Sequence, residues 1–134
     1  MTHVPVIAIV DDDRSVRRSL HRLVQSAGYT VQTFASAREF LDWVPRGRTA
    51  CLVLDIHLDG VSGFELQERL AADGAGIPII FITAHDDAPT RQRIEQSGAA
   101  GHLWKPVDGP ALLDAVRRAI GLDQGPIGRP DGVD

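Results

Sequence analysis

A chain of 134 residues holds one domain of ordinary size, with or without a tail, and leaves no room for a second. Its 43% hydrophobic and 24% charged residues lie near globular averages, which excludes a fibrous repeat or wholesale disorder. A net charge of −4 argues against direct nucleic-acid binding, and neither a membrane-length apolar run nor a signal-like segment follows Met1, so a cytoplasmic protein with no membrane partner is expected.

Val4 to Val10 is apolar at nearly every position and reads as a strand buried on both faces, stopped by Asp11, Asp12 and Asp13. From Arg14 the period becomes helical, with Val16, Leu20, Leu23 and Val24 on one face, Arg14, Arg18 and Arg22 on another, and Gly28 as the end. Thr30 to Phe34 is a second, more polar strand and therefore an edge. Ser36 and Glu39 have the spacing of a capping box for a short helix through Phe40 and Trp43. Pro45 to Arg48 is a loop. Ala50 to Leu54 is a third strand, closed by Asp55, and the lone cysteine within it, Cys51, reads as a core hydrophobe. A loop from Ile56 to Ser62 leads to a helix over Phe64 to Ala72. Pro78 to Ile82 is a fourth strand running into Thr83.

A helix with Pro89 in its first turn follows, ended by Gly98; Ile94 is its one large apolar residue, so little burial holds it. Ala99 to Trp104 is a fifth strand that meets Lys105, the chain's one lysine beside thirteen arginines. Pro110 to Ile120 is the last helix. Residues 1–120 are thus expected to form the domain, and 121–134, rich in Gly and Pro, a flexible tail or the start of a linker.

Strands and helices alternate five times, which predicts an α/β doubly wound fold with a parallel sheet covered on both faces. The polar second strand favours the flavodoxin-like order 2-1-3-4-5, with a crevice between the first and third strands. Asp11 and Asp12, Asp55, Thr83 and Lys105 then all lie at the carboxyl ends of strands, on one edge of the sheet. Clustered carboxylates raise one another's pKa unless a cation binds, and hard oxygen ligands suit Mg²⁺. A carboxylate beside that cation, an ammonium and a hydroxyl is equipped to accept a phosphoryl group.

Other chemistries fit less well. The turn after the first strand is Asp-Asp-Asp-Arg-Ser rather than glycine-rich, no P-loop is present, and the turn is too acidic for a flavin phosphate. His57 stands where an Asp-x-Asp phosphatase would carry its second carboxylate, and the five histidines lack zinc-ligand spacing.

With Val10-Asp-Asp-Asp13, Leu54-Asp55 and Gly63 eight residues on, Ile82-Thr83-Ala84 and Trp104-Lys105-Pro106, the chain resembles the receiver domain of bacterial two-component response regulators over residues 4–120. The Gly98-to-Pro106 stretch is most similar to the subfamily that activates nitrogen-fixation genes through an attached helix-turn-helix. The resemblance implies that Asp55 is the phosphoacceptor. Asp12, Asp55 and the His57 backbone carbonyl would hold Mg²⁺, and Asp11 would act mainly through water. Thr83 and Lys105 would bind phosphoryl oxygens, and a sensor histidine kinase or phosphotransfer protein would be the donor. It implies no separate enzyme activity beyond the domain's part in its own phosphorylation and dephosphorylation, and a kinase-docking role for the first helix. Arg91, Arg93, Arg117 and Arg118 with Glu95, Asp108 and Asp114 offer a charged, self-complementary contact, so a monomer or weak dimer is expected that associates more strongly on phosphorylation, through the face built from the fourth helix, fifth strand and last helix.

Three departures from the family pattern stand out. Asp59 replaces the usual proline in the loop after Asp55. His102 occupies the aromatic switch position. His57 and His85 sit two residues after Asp55 and Thr83, where family members tune phosphate lifetime. A phosphorylation-independent interaction module on the same fold is the alternative raised by His102 and Asp59; a small phosphotransferase or phosphatase is a third reading, for which no substrate pocket is visible in the sequence.

Overall fold

The structure, a computed structural model, describes residues 5–43 and 47–121. Chain order runs β1 (Val6–Val10), α1 (Arg14–Ser26), β2 (Thr30–Phe34), α2 (Ala37–Asp42), β3 (Thr49–Asp55), α3 (Gly63–Ala72), β4 (Ile79–Thr83), α4 (Ala88–Ser97), β5 (Gly101–Trp104) and α5 (Gly109–Gly121). The strands form one parallel sheet in the order β2-β1-β3-β4-β5, as the alternation and the polar second strand predict. In β2, Thr30 and Gln32 are exposed, which an edge tolerates and a central strand would not.

The continuous apolar runs divide by strand period into two cores. Ala8, Val10, Leu52, Leu54 and Phe81 face Phe40 of α2, Phe64, Leu66 and Leu70 of α3, and Ile94 of α4. Ile7, Ile9, Cys51, Val53, Ile80 and Ile82 face Leu20 and Val24 of α1 and Leu112, Val116 and Ala119 of α5. Cys51 has no exposed surface, and burial pushes its thiol up to about 12, in line with its reading as a core side chain.

Helix ends follow their local chemistry. Asp13 caps α1, its carboxylate accepting from the amides of Ser15 and Val16. Gly98 ends α4 with φ at +77°, a left-handed turn that a side chain would strain. The box expected at Ser36 is half formed: Ser36 Oγ accepts from Glu39 N, but Glu39 reaches back to Ala35 N instead of the cap residue. The complete reciprocal box is at Ser62 and Glu65, opening α3.

Several boundaries shift by a residue or two. β3 already includes Thr49 and Asp55, β5 starts at Gly101 rather than Ala99, α3 takes in Gly63, and α5 extends from Gly109 through Gly121, the first residue assigned to the tail. The rest of that tail, residues 122–134, lies outside the described residues, as do Val4 and, in the loop before β3, Pro45 and Arg46. No described helix is long and apolar enough to cross a membrane.

Candidate functional site: an acidic pocket at the carboxyl edge of the sheet

Strand register assembles the pocket. Val10 pairs with Leu54, so the residues that follow, Asp11 and Asp55, emerge side by side from the two central strands. Asp55 pairs with Ile82 and Thr83 with Trp104, which sets Thr83 and then Lys105 one step further along the same edge. The Lys105 amide donates to the Thr83 carbonyl over 2.8 Å, tying the end of β5 to β4. Carboxylate oxygens of Asp11, Asp12 and Asp55 all lie within 4.8 Å of one another.

The three carboxylates differ in setting. Asp11 is fully buried; its Oδ1 accepts from the Asp13 amide at 2.8 Å, and its Oδ2 forms an ion pair with Lys105 Nζ at 2.9 Å. Asp55 is 4% exposed; its Oδ1 accepts from the His57 amide at 3.1 Å and its Oδ2 lies 3.3 Å from the same ammonium. Asp12 faces solvent. Burial first, and then the Asp11 charge, raise the Asp55 carboxyl above its ordinary value, against the opposing effects of the His57 amide and Lys105. Burial pulls the Lys105 ammonium down, but its close ion pairing with Asp11 and the charge of Asp55 outweigh it, so Lys105 stays protonated.

One ammonium thus serves two buried carboxylates with a third at the rim, and negative charge is in excess. Asp11 Oδ2 has no hydrogen bond of acceptable geometry despite its ion pair. An under-satisfied, buried oxygen in an all-carboxylate set fits a hard divalent cation such as Mg²⁺. Asp11, expected to act mainly through water, is therefore the most enclosed of the three.

Two contacts that sequence reasoning missed hold this geometry. Arg17 reaches from α1 to the Asp11 carbonyl at 2.9 Å; the acceptor is backbone, so residue types gave no signal. Gly63 lies against the end of β3, where an added Cβ would fall 2.7 Å from the Asp55 carbonyl oxygen and 2.9 Å from Ile56 Cα. Only glycine allows α3 to start that close, which is a physical reason for its fixed distance from Asp55.

Around the rim, the buried Thr83 Oγ1 accepts from the His85 amide at 3.0 Å and lies 3.3 Å from His57 Nδ1. The rings of His57 and His85, both exposed, stack with centroids 3.8 Å apart and planes at 34°. His102 stands apart from this group: its ring is exposed on β5 and meets Trp104 edge-on at 5.3 Å. Asp59 is exposed in the loop after Asp55. The structure therefore brings together Asp11, Asp12, Asp55, Thr83, Lys105, His57 and His85, and leaves His102 on the outer surface.

Comparisons with known proteins give the family. The family model described as response regulator receiver domain matches residues 7–117. Nodulation protein W of Bradyrhizobium diazoefficiens is 45% identical over 119 residues, covering 89% of this chain and 52% of that protein. The transcriptional regulatory protein FixJ of Azorhizobium caulinodans is 41% identical over 116 residues, 86% of this chain and 54% of that one. The chain thus spans about half the length of the curated relatives it matches. Among solved structures, response regulator StyR superposes with a TM-score of 0.82 at 46% identity, over 91% of this chain and 62% of that one. FixJ-N does so with 0.79 at 33% identity, over 89% and 95%. A match that runs from within the first strand into the last helix identifies the chain as a member of the response regulator receiver domains of two-component signalling.

Proposed function

We propose that the domain receives a phosphoryl group on Asp55 from a phosphohistidine of a sensor kinase or phosphotransfer protein. The observation that carries this reading is the Lys105 ammonium set between Asp11 Oδ2 at 2.9 Å and Asp55 Oδ2 at 3.3 Å, beside a carboxylate group with charge to spare for a cation. A carboxylate oxygen of Asp55 attacks phosphorus as the bond to the donor imidazole nitrogen breaks, and that bond's electron pair returns to the imidazole. Lys105 pairs with one phosphoryl oxygen, and the Thr83 hydroxyl, at the edge of the pocket, turns to donate to another. Asp12 and Asp55, with Asp11 behind them and the His57 carbonyl beside them, would hold Mg²⁺, which when bound neutralises charge on the transferring group.

The exposed rings of His57 and His85 cover the approach to Thr83, and in this reading they set how long the phosphoryl group survives hydrolysis. His102 acts as the switch side chain on β5. The donor docks against α1, where Arg14, Arg18 and Arg22 have no carboxylate partner among the described residues and line an open groove with Ser15 and Ser19. Phosphorylation strengthens self-association through α4, β5 and α5. That contact is weak and salt-sensitive, because Arg117 and Arg118 already hold Asp114 of their own helix and Arg91 holds Asp86, and these exposed pairs must exchange partners.

Intact mass after incubation with acetyl phosphate tests the core of the reading. One phosphoryl group is expected with Mg²⁺, none in EDTA and none in Asp55→Asn. Labelling that persists in Asp55→Asn overturns the assignment, and no labelling under any condition favours the phosphorylation-independent module. Sedimentation with and without beryllofluoride tests the dimer: an unchanged state over a wide concentration range counts against it.

A further inference from the structure

We propose that His57 and His85 form a second metal site at the mouth of the pocket, selective for a borderline divalent cation such as Zn²⁺, Ni²⁺ or Cu²⁺, with water completing the coordination. The chemistry differs from that of the acidic cluster. The buried set is all oxygen and suits a hard cation; the rim set offers two imidazole nitrogens and suits a borderline one.

The fold brings the two rings together for a definite reason. Each lies two residues beyond the last residue of its strand, β3 or β4, and those strands are adjacent, with Asp55 paired to Ile82. The rings end 3.8 Å apart between centroids, and both are exposed. His57 also has the supporting arrangement typical of a metal ligand. Its Nδ1 lies 3.3 Å from Thr83 Oγ1, so the tautomer that donates Nδ1–H to that oxygen leaves the Nε2 lone pair for a cation.

Thr83 Oγ1 is itself fixed by the His85 amide, which anchors both loops to one hydroxyl. With His57 kept on Thr83, coordination requires the exposed His85 imidazole to turn about χ2, a torsion with broad preferences. A cation held there stands over Thr83 and across the approach to Asp55.

Isothermal titration of the full chain with Zn²⁺, in saturating Mg²⁺, decides the matter. One equivalent is expected to bind with micromolar affinity. His57→Gln and His85→Gln should each weaken binding on the order of tenfold or more, comparable to the loss of a ligand-supporting group. His21→Gln, on α1, should leave binding intact, and so should Asp55→Asn, which separates this site from the acidic cluster. Cu²⁺ bound by the parent protein should show hyperfine coupling to two nitrogens in its electron paramagnetic resonance spectrum. Melting curves of the two histidine variants, whose side chains are exposed, verify that they fold.

Absence of saturable Zn²⁺ binding overturns the proposal. So does binding that survives both histidine substitutions, or that disappears in Asp55→Asn. A further consequence, slower labelling of Asp55 by acetyl phosphate when one equivalent of Zn²⁺ is present, rests on the reading of Asp55 given above. The titration does not, so failure of one is distinguishable from failure of the other.

Discussion

Asp55 is buried among negative charge in the folded domain, and its stability effect has a definite sign. Its carboxyl is raised in the folded state, by burial and then by Asp11. Below the ordinary aspartate value of about 3.9 the group is protonated in both folded and unfolded chains and costs nothing. As pH rises through that value the unfolded chain ionises first, so folded stability is lost until the folded pKa is passed. Asp55→Asn should therefore raise the melting temperature at pH 7 in EDTA, and the gain should fade as pH drops towards 4. Urea melts of both proteins at the two pH values check this; a neutral-pH loss on substitution contradicts it.

Gly63 gives the opposite case, where a neutral methyl group is the damage. Gly63→Ala sets a Cβ 2.7 Å from the Asp55 carbonyl oxygen, a backbone atom that cannot swing aside. Overpacking of this kind costs about 1–3 kcal/mol, and the same shift should displace Asp55 from Lys105. Chemical denaturation measures the first effect and the rate of labelling by acetyl phosphate the second. Residue types alone placed Gly63 at its distance from Asp55, yet the contact that demands a glycine depends on how α3 turns back onto β3. Sequence spacing does not contain that.

At the scale of elements, α4 is held differently from its neighbours. Ile94 is its one buried residue, whereas α5 buries Leu112, Val116 and Ala119. Its arginines make up part of the difference: Arg93 lies over the Phe64 ring at 4.4 Å, Arg91 lies over Trp104 at 5.7 Å and pairs with Asp86, and Gln67 of α3 donates to the Ser97 carbonyl. Amides of α4 should exchange hydrogen faster than those of α1 or α5. Arg93→Ala should lower the local protection of α4 by a further ~0.5–1 kcal/mol while leaving α1 unchanged, read by exchange and mass spectrometry.

The weakness of this helix was legible, since apolar residues can be counted along a chain. The arginine stacking was not, because it pairs α4 with side chains on α3 and β5 that no local pattern connects. The same limit accounts for the histidines. Their positions after β3 and β4 could be read directly, and the strand order made them neighbours, but the stacking of the rings belongs to loop geometry. Capping shows a related competition: Ser36 and Glu39 match the same pattern as Ser62 and Glu65, and only the latter pair closes both bonds, because Glu39 finds the Ala35 amide instead.

For the whole molecule, the parallel sheet and its order were the most legible features, because strands buried on both faces cannot hide their composition. The same arrangement turns the lone cysteine into a measuring device. Cys51 sits in β3 between β1 and β4, with no exposed surface and a thiol pushed up to about 12. A thiol reagent can reach it only when the sheet parts at its centre, so modification runs at the rate of an exposed thiolate multiplied by the fraction of open molecules. For a domain stable by about 5–15 kcal/mol, that factor slows labelling by at least three orders of magnitude. The expected slowing equals the unfolding constant from urea melts, and Mg²⁺, beryllofluoride or Zn²⁺ should each lengthen the labelling half-life in proportion to how tightly it binds the folded form. One native sulfur atom thereby serves as a stopwatch for ligand occupancy, with no dye or tag attached to the surface.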